Sequence, residues 1–466
     1  MKKALLINPP TGMYIRDDRC QVPVKGLSSA LRMPLDLAYM AAAFEKYGWA
    51  CKIGDYQAMA HGEQELFDDL QQFEPDFVVI STTTPTLLND LAICEHIRES
   101  VPDATVVIKG AHVTVEAEII LETCPCLDIA IKQEYEQVIE ELAQNKKWQD
   151  IDGIVFRQKD KVIVNPDRKY LENLDELPFP ARSLLKNELY VRPDTGETQT
   201  SIMTSRGCPQ NCTFCLVRTV SGVRVNTRSV DSVIEELRSC VEELGITNFY
   251  FRADTFTWNK EWVIELCKKI RRSDLDINWV CNSRIDTIDE KLINDMKRSG
   301  CWMVGFGLES GDQKLLDKMK KGIRVETMRK TLKLCKKYGL STYLFFVYGL
   351  PWETKESLQK TLKLAKELDG DFVEFHQAYP FPGTEYHDFA LEHKLFSKAD
   401  LTNTDVFSSP ASSFTLSSGD LNSFCKKATR SYYLRPRYIL RAMNKIDSWK
   451  KFKNYTKKGM SILFRR

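Results

Sequence analysis

What the chain lacks narrows its possibilities first. It has no run of about eighteen or more apolar residues, so nothing in it is expected to span a membrane. The start, Met1-Lys-Lys-Ala-Leu-Leu-Ile-Asn-Pro-Pro10, is basic, but its apolar stretch is too short for an export signal and breaks at the two prolines. Fourteen cysteines without such a signal point to a reducing compartment. No Ser/His/Asp or paired-carboxylate constellation stands out, so side chains alone announce no catalytic centre. Net charge is also nearly absent, at +2.

That neutrality hides an asymmetry. From Leu421 onward fourteen Lys and Arg face one acid, Asp447, so the last stretch carries +13 and leaves −11 for the rest. Such a split marks a surface that meets something anionic, and a membrane surface is expected here, not nucleic acid. After Pro436, residues Ile439, Met443, Ile446, Trp449 and Phe452 recur three or four apart while Arg and Lys fill the other face. This pattern suits an interfacial helix, and equally a helix packed on the body with a solvated basic face.

A length of 466 residues suggests two or three domains. In residues 1–145, apolar strand-like runs at 4–7, 77–81, 105–108 and 128–131 alternate with helical patterns at 35–47, 63–73, 87–99 and 134–143. Alternation of this kind predicts an α/β, doubly wound parallel sheet of Rossmann-like type, with its ligand beyond the carboxyl ends of the strands. Residues 146–200 read as a linker with a short hairpin (153–157 and 162–165), and the prolines in 174–182 predict an extended path across the surface. From 201 to 400 six β/α units follow, with strands at 201–204, 248–252, 278–281, 303–307, 342–348 and 372–375. Helices at 231–244, 260–271, 326–338 and 355–368 lie between them. They predict a partial (β/α)6 TIM-type barrel whose active face is at the strands' carboxyl ends. Residues 401–466 read as a basic helical extension.

The most informative run is Thr204-Ser-Arg-Gly-Cys-Pro-Gln-Asn-Cys-Thr-Phe-Cys215. Cys208, Cys212 and Cys215 put three thiolates around one short loop after the first barrel strand. That is enough for three corners of a [4Fe–4S] cubane, and it leaves the fourth iron open for a small molecule. Ile202 and Met203 end the strand, Gly207 turns the chain out of it, and Phe214 can stack on a planar ring beside the cluster. Zinc sites come as paired CxxC halves with four ligands, and no second half stands nearby.

This run resembles the cluster loop of the radical S-adenosylmethionine (SAM) superfamily. Gly305-Phe-Gly-Leu-Glu-Ser-Gly311, Gly349-Leu-Pro-Trp-Glu-Thr354, Tyr379-Pro-Phe-Pro-Gly-Thr384 and the 174–182 segment narrow the resemblance, which covers about residues 1–400. They are similar to the branch with an N-terminal cobalamin (B12)-binding domain. That branch includes anaerobic magnesium-protoporphyrin ester cyclases, hopanoid-modifying enzymes and C- or P-methyltransferases.

The resemblance implies three cofactors: the [4Fe–4S] cluster, SAM and cobalamin. It implies that the reduced cluster cleaves SAM to a 5′-deoxyadenosyl radical, with electrons from a flavodoxin- or ferredoxin-like donor. Asp254 then takes the methionyl amine, Arg284 the carboxylate and Glu309 the ribose or amine, with Asn282 beside them at a strand end. Ser81 and Gly110 lie where a corrin can approach the backbone. The sequence departs from the family in two places. A DxHxxG element is absent, His61 standing at the wrong spacing from Asp55, and Gln133-Glu-Tyr-Glu136 replaces the usual Gly-Glu-Gly-Glu, so cobalamin without a histidine ligand is expected. The polar insertion 17–23, with Cys20, is placed to contact cobalamin or substrate, although a free cysteine is more often inert.

The expected activity is radical chemistry at an unactivated C–H centre, in the cytoplasm or at the inner face of the membrane. The basic tail favours a lipid or hopanoid-like isoprenoid substrate. Methyl transfer to another small molecule, cyclisation, and a non-catalytic redox or sensory iron–sulfur protein stay open as alternatives.

Overall fold

The computed structural model describes residues 1–17, 21, 31–402, 409–444, 446, 449, 452–456 and 459. Cys20 and most of the insertion around it lie outside the described residues. Two mainly parallel sheets organise the chain. The first holds β1 (Lys3–Asn8), β2 (Ala50–Asp55), β3 (Phe77–Ser81), β4 (Thr105–Lys109), β5 (Ile129–Ile131), β6 (Ile154–Gln158) and β7 (Lys161–Val164). Their order is β2-β1-β3-β4-β5-β6-β7; the first five are parallel, with Leu5 opposite Lys52 on one side and Val78 on the other.

Strands buried on both faces need continuous apolar runs, and Leu5-Leu6-Ile7 and Val78-Val79-Ile80 supply them. Leu6, Val79 and Val107 pack on one face against Ala38, Met40 and Phe44 of the helix Leu35–Glu45. Leu5, Val78 and Val106 pack on the other against Ile93, Ile97 and Ile120. This is the doubly wound domain the alternation predicts. β2 escapes the sequence reading because its first half, Ala50-Cys-Lys52, is a half-exposed edge with no apolar run to mark it.

Two expectations for the linker are corrected. The hairpin β6–β7 is the antiparallel edge of the first sheet, with Ile154 and Phe156 in its core. The 174–182 segment does not run across the surface. Leu174, Leu177 and Ala181 join the first domain's core beside Met203, and Arg182 is buried. Proline-stiffened extended chain fits between two packed layers as readily as over one.

The second sheet is built from β8 (Gln199–Met203), followed by the short antiparallel pair β9 (Ser205–Arg206) and β10 (Asn226–Thr227). β11 (Asn248–Arg252), β12 (Asn278–Ser283), β13 (Cys301–Gly307), β14 (Ser341–Tyr348) and β15 (Phe372–Gln377) then complete it. Six of these strands stand parallel in the order β8-β11-β12-β13-β14-β15, the partial barrel expected. Phe249, Phe251, Leu344 and Phe346 pack outward on the helices. The alternate residues Tyr250, Tyr343 and Phe345 therefore face inward. Helices start where a side chain caps them: Ser229, Asn259, Asp289 and Thr354 each accept a first-turn amide.

The helix Ser418–Tyr433 belongs to the barrel, with Leu421, Cys425 and Tyr432 in its core. Its Tyr433 hydroxyl accepts from Val373 N and donates to Val373 O, both at 2.8 Å, covering part of the β15 edge. The next helix, Pro436–Met443, does not bury its apolar stripe against the body, as the packed alternative expects. Arg435, just before it, and Arg441 turn inward and pair with Asp369 at 2.9 and 2.7 Å, while Arg437 stays exposed, 3.4 Å from the same carboxylate. Its apolar residues turn outward, with Ile439 43%, Leu440 64% and Met443 62% exposed, and Trp449 at 78% continues the stripe. Among the described residues no helix is long and apolar enough to cross a membrane.

Candidate functional site

The cysteine loop leaves β8 at the carboxyl edge of the barrel. Gly207 has φ +90°, and a Cβ there would lie 1.9 Å from the Arg224 carbonyl oxygen, so only glycine fits the turn. The Gly207 amide donates to Asp254 Oδ2 at 2.7 Å, and the Cys208 amide to Gly222 O at 3.2 Å. Thr213 ties the loop to the barrel through its amide to Met319 O (3.1 Å) and its carbonyl from Tyr386 N (2.8 Å).

Cys208, Cys212 and Cys215 are free and half-buried. Burial pushes the Cys215 thiol up to about 12 and raises Cys212 as well, so these thiols keep their protons until a metal displaces them. Among the described residues no three His, Cys, Asp or Glu side chains gather as a single metal ion needs. A cubane spreads its three thiolates over three irons, and three soft sulfurs on one loop fit that requirement.

The strand ends bring the other expected residues to the same edge, though not as free groups. Glu309, buried and at φ +62°, accepts from Lys321 Nζ at 2.6 Å. Burial opposes a charge on Lys321, yet Glu309 and Cys212 outweigh it and hold the ammonium above its usual range. Arg284 forks onto Asp286 at 3.0 and 2.8 Å and reaches Lys321 O at 3.0 Å. Asn282 donates to the Tyr250 hydroxyl at 3.1 Å. Asp254 already holds the loop through Gly207. Phe214 packs, half-buried, against the barrel core. Lys321 and Asp286 escape the sequence reading, because no spacing distinguishes them from surface charges.

On the first domain, Ser81 Oγ donates to Asp36 Oδ2 at 3.1 Å, and Asp36 also pairs with Lys109 at 2.5 Å. Gly110 has φ +147°, and a Cβ there would lie 2.6 Å from Thr82 O. The turns after β3 and β4 are thus pressed together in small residues. Beside them His112 Nδ1 is buried without a partner. Close backbone and an orphaned polar atom at this edge fit a large amide-bearing ligand such as a corrin. His61 stands apart, 6.5 Å from the Tyr56 ring.

The two edges are fastened together. Arg206, two residues before Cys208, bonds Glu134 (3.1 Å) and Glu136 of the first domain, within 5.9 Å of the Tyr135 ring. Arg252 of β11 bonds Asp17, the described end of the insertion after β1. Glu236 receives both Arg182 and Arg228; burial would raise its carboxyl, and the two guanidiniums hold it below its usual range instead. Gln133 stands at φ +60°, the left-handed region glycine favours, which accounts for the glycine in the usual family stretch.

Comparison with known proteins agrees with this geometry. A family model described as the radical SAM superfamily matches residues 202–365, and one described as a B12 binding domain matches residues 32–143. An uncharacterized methyltransferase of Pyrococcus horikoshii is 32% identical over 443 residues, covering 94% of each chain. The cytidylyl-2-hydroxyethylphosphonate methyltransferase of Streptomyces wedmorensis is 27% identical, over 82% of this chain and 80% of its own. Among solved structures, the radical SAM methyltransferase TsrM of Kitasatospora setae, with cobalamin and a [4Fe-4S] cluster bound, shares the fold. It superposes with a TM-score of 0.68 at 18% identity, over 84% of this chain and 75% of that one. With likeness at that level along nearly its whole length, the chain belongs to the radical SAM superfamily of enzymes, in the branch that carries an N-terminal B12-binding domain.

Proposed function

We propose that the chain is a cobalamin-dependent radical SAM methyltransferase of the cytoplasm. The observation that carries this reading is the Arg206 fastening, which holds the carboxyl edge of the B12-binding domain against the cysteine loop, as transfer between two cofactors requires. When bound, the cluster supplies the electron that cleaves SAM and the corrin carries the methyl group. In this reading Cys208, Cys212 and Cys215 hold the cluster. Arg284 and Glu309 orient the aminoacid end of SAM, exchanging their present partners Asp286 and Lys321 for it. Asn282 and Tyr250 line the inner wall, while Ser81 and Gly110 lie along the corrin.

The test is the product balance of the reconstituted holoprotein with a low-potential reductant such as reduced flavodoxin. Methyl transfer predicts that S-adenosylhomocysteine appears beside 5′-deoxyadenosine and methionine. Release of 5′-deoxyadenosine alone, with cobalamin bound, would point to cyclisation or another radical outcome. A second reading concerns the substrate. The outward stripe of Ile439, Leu440, Met443 and Trp449 beside a cation-rich tail favours work at an anionic membrane surface, and with it a lipid or isoprenoid substrate such as a hopanoid.

A further inference from the structure

The helix Ala111–Thr123 opens at the carboxyl end of β4, on the ligand edge of the first sheet. Its first three amides, of Ala111, His112 and Val113, lack helical acceptors, as every helix start requires. No other acceptor for them is found among the described residues. All three residues are buried, His112 at 4% exposure. The His112 ring is held at one end only: Nε2 lies 3.1 Å from Glu116 Oε2, while Nδ1 is buried with no partner. A buried nitrogen left so costs its full desolvation unless something completes it.

The chemistry of the missing partner can be read from these groups. The bond from His112 holds the Glu116 carboxyl below its usual range, so Glu116 accepts and Nε2 carries the proton. While the ring carries only that proton, Nδ1 is an acceptor, on the same turn as the open backbone donors. An acceptor beside donors is the complement of a primary carboxamide, whose N–H meets the ring and whose oxygen meets the amides. A phosphodiester, having only acceptors, would face that lone pair with another. A metal ion is not served either, since no three ligating side chains gather here. The edge of a corrin bears several primary carboxamides.

We propose that His112 and the open first turn of this helix grip one carboxamide of the corrin periphery, with Nδ1 accepting its N–H and a backbone amide donating to its oxygen. This rests on the cobalamin reading above and assigns one recognition contact within it. It makes His112 a corrin-holding residue and not an axial ligand.

The experiment is a titration of the full-length, cluster-loaded protein, followed by visible absorbance, with three corrinoids. Hydroxocobalamin and cobinamide keep the carboxamides, and cobyrinic acid replaces them with carboxylates. His112→Ala should lose about tenfold in affinity for the first two, the equivalent of one hydrogen bond. It should bind cobyrinic acid as wild-type does, with iron content and circular dichroism unchanged. His112→Asn, whose side-chain oxygen falls near the position of Nδ1, should recover most of the loss. Equal affinity of His112→Ala and wild-type for hydroxocobalamin would overturn the proposal, and so would an equal loss on all three corrinoids, which would mark a purely structural role. Failure of wild-type to bind any corrinoid would instead overturn the cobalamin reading, and this assignment with it.

Discussion

Two neighbouring lysines show how little a residue's type reveals of its place. Lys320 is exposed and pairs with Glu385 at the surface, whereas Lys321, its side chain only 11% exposed, lies on Glu309 beside the cysteine loop. Nothing in Lys320-Lys321-Gly322 distinguishes them; only the path of the chain after β13 does. The cysteines were legible because three thiols at fixed spacing need no partner from elsewhere, while Glu309 and Arg284 were legible only through family resemblance. We expect Glu309→Gln and Arg284→Ala to weaken SAM binding about tenfold or more, leaving the cluster's absorption intact, in equilibrium binding to reconstituted protein. Unchanged affinity in both would end the roles given to them. Glu353 offers a separate test. It is buried, with Gly349 N at 3.0 Å as one donor, and burial lifts its carboxyl from the usual 4.5 to about 7. The folded chain therefore binds a proton that the unfolded chain has released between those values. Its stability should fall as pH rises from about 4.5 to about 7 and level off above, by up to about 3 kcal/mol from this group. Glu353→Gln should flatten that slope in thermal melts at pH 5.5 and 7.5; an unchanged slope would assign the dependence elsewhere.

At the scale of elements, the sequence marks a strand or helix well when one piece of chain carries its own pattern, and poorly when the pattern is shared. The interior strands of both sheets each carry an apolar centre and read correctly. β2, at an edge, does not, and β6–β7 read as a hairpin but not as the completion of a sheet begun over a hundred residues earlier. The helix Ala111–Thr123 has hydrophobic residues scattered around it because the barrel covers part of its outer face, through Leu216, Val220 and Phe381. By sequence the C-terminal helix Ser418–Tyr433 opens a basic tail, yet in the fold it covers part of the last strand's edge. Tyr433→Phe keeps the ring and deletes the hydroxyl that serves Val373 N and O together. The expected cost is about 1–3 kcal/mol, read as a lower denaturant midpoint with an unchanged slope. No shift in the midpoint would show that solvent serves the edge equally well.

For the whole molecule, the tail and the domain junction make different demands. The membrane reading predicts that the full chain sediments with anionic vesicles at low salt and is released at high salt, each cation near the surface contributing about 1 kcal/mol before screening. The truncation that tests it must end after Asn444, since a cut near Asp420 would remove Tyr433 and open the barrel. That shortened chain loses eight of the cations and Trp449, and should stay in solution while still cleaving SAM. Equal sedimentation of the two would remove the membrane argument and the preference for a lipid. The junction has a consequence of another kind. Arg206 reaches the first domain only two residues before the first cluster cysteine, so the spacing between the two cofactor sites is measured out by a few backbone bonds and not by a flexible hinge. A first domain borrowed from a relative would bring its own version of residues 133–136 to an arginine shaped for these. The smallest part of this protein that can be exchanged, in nature or at the bench, is therefore the matched pair of domains together.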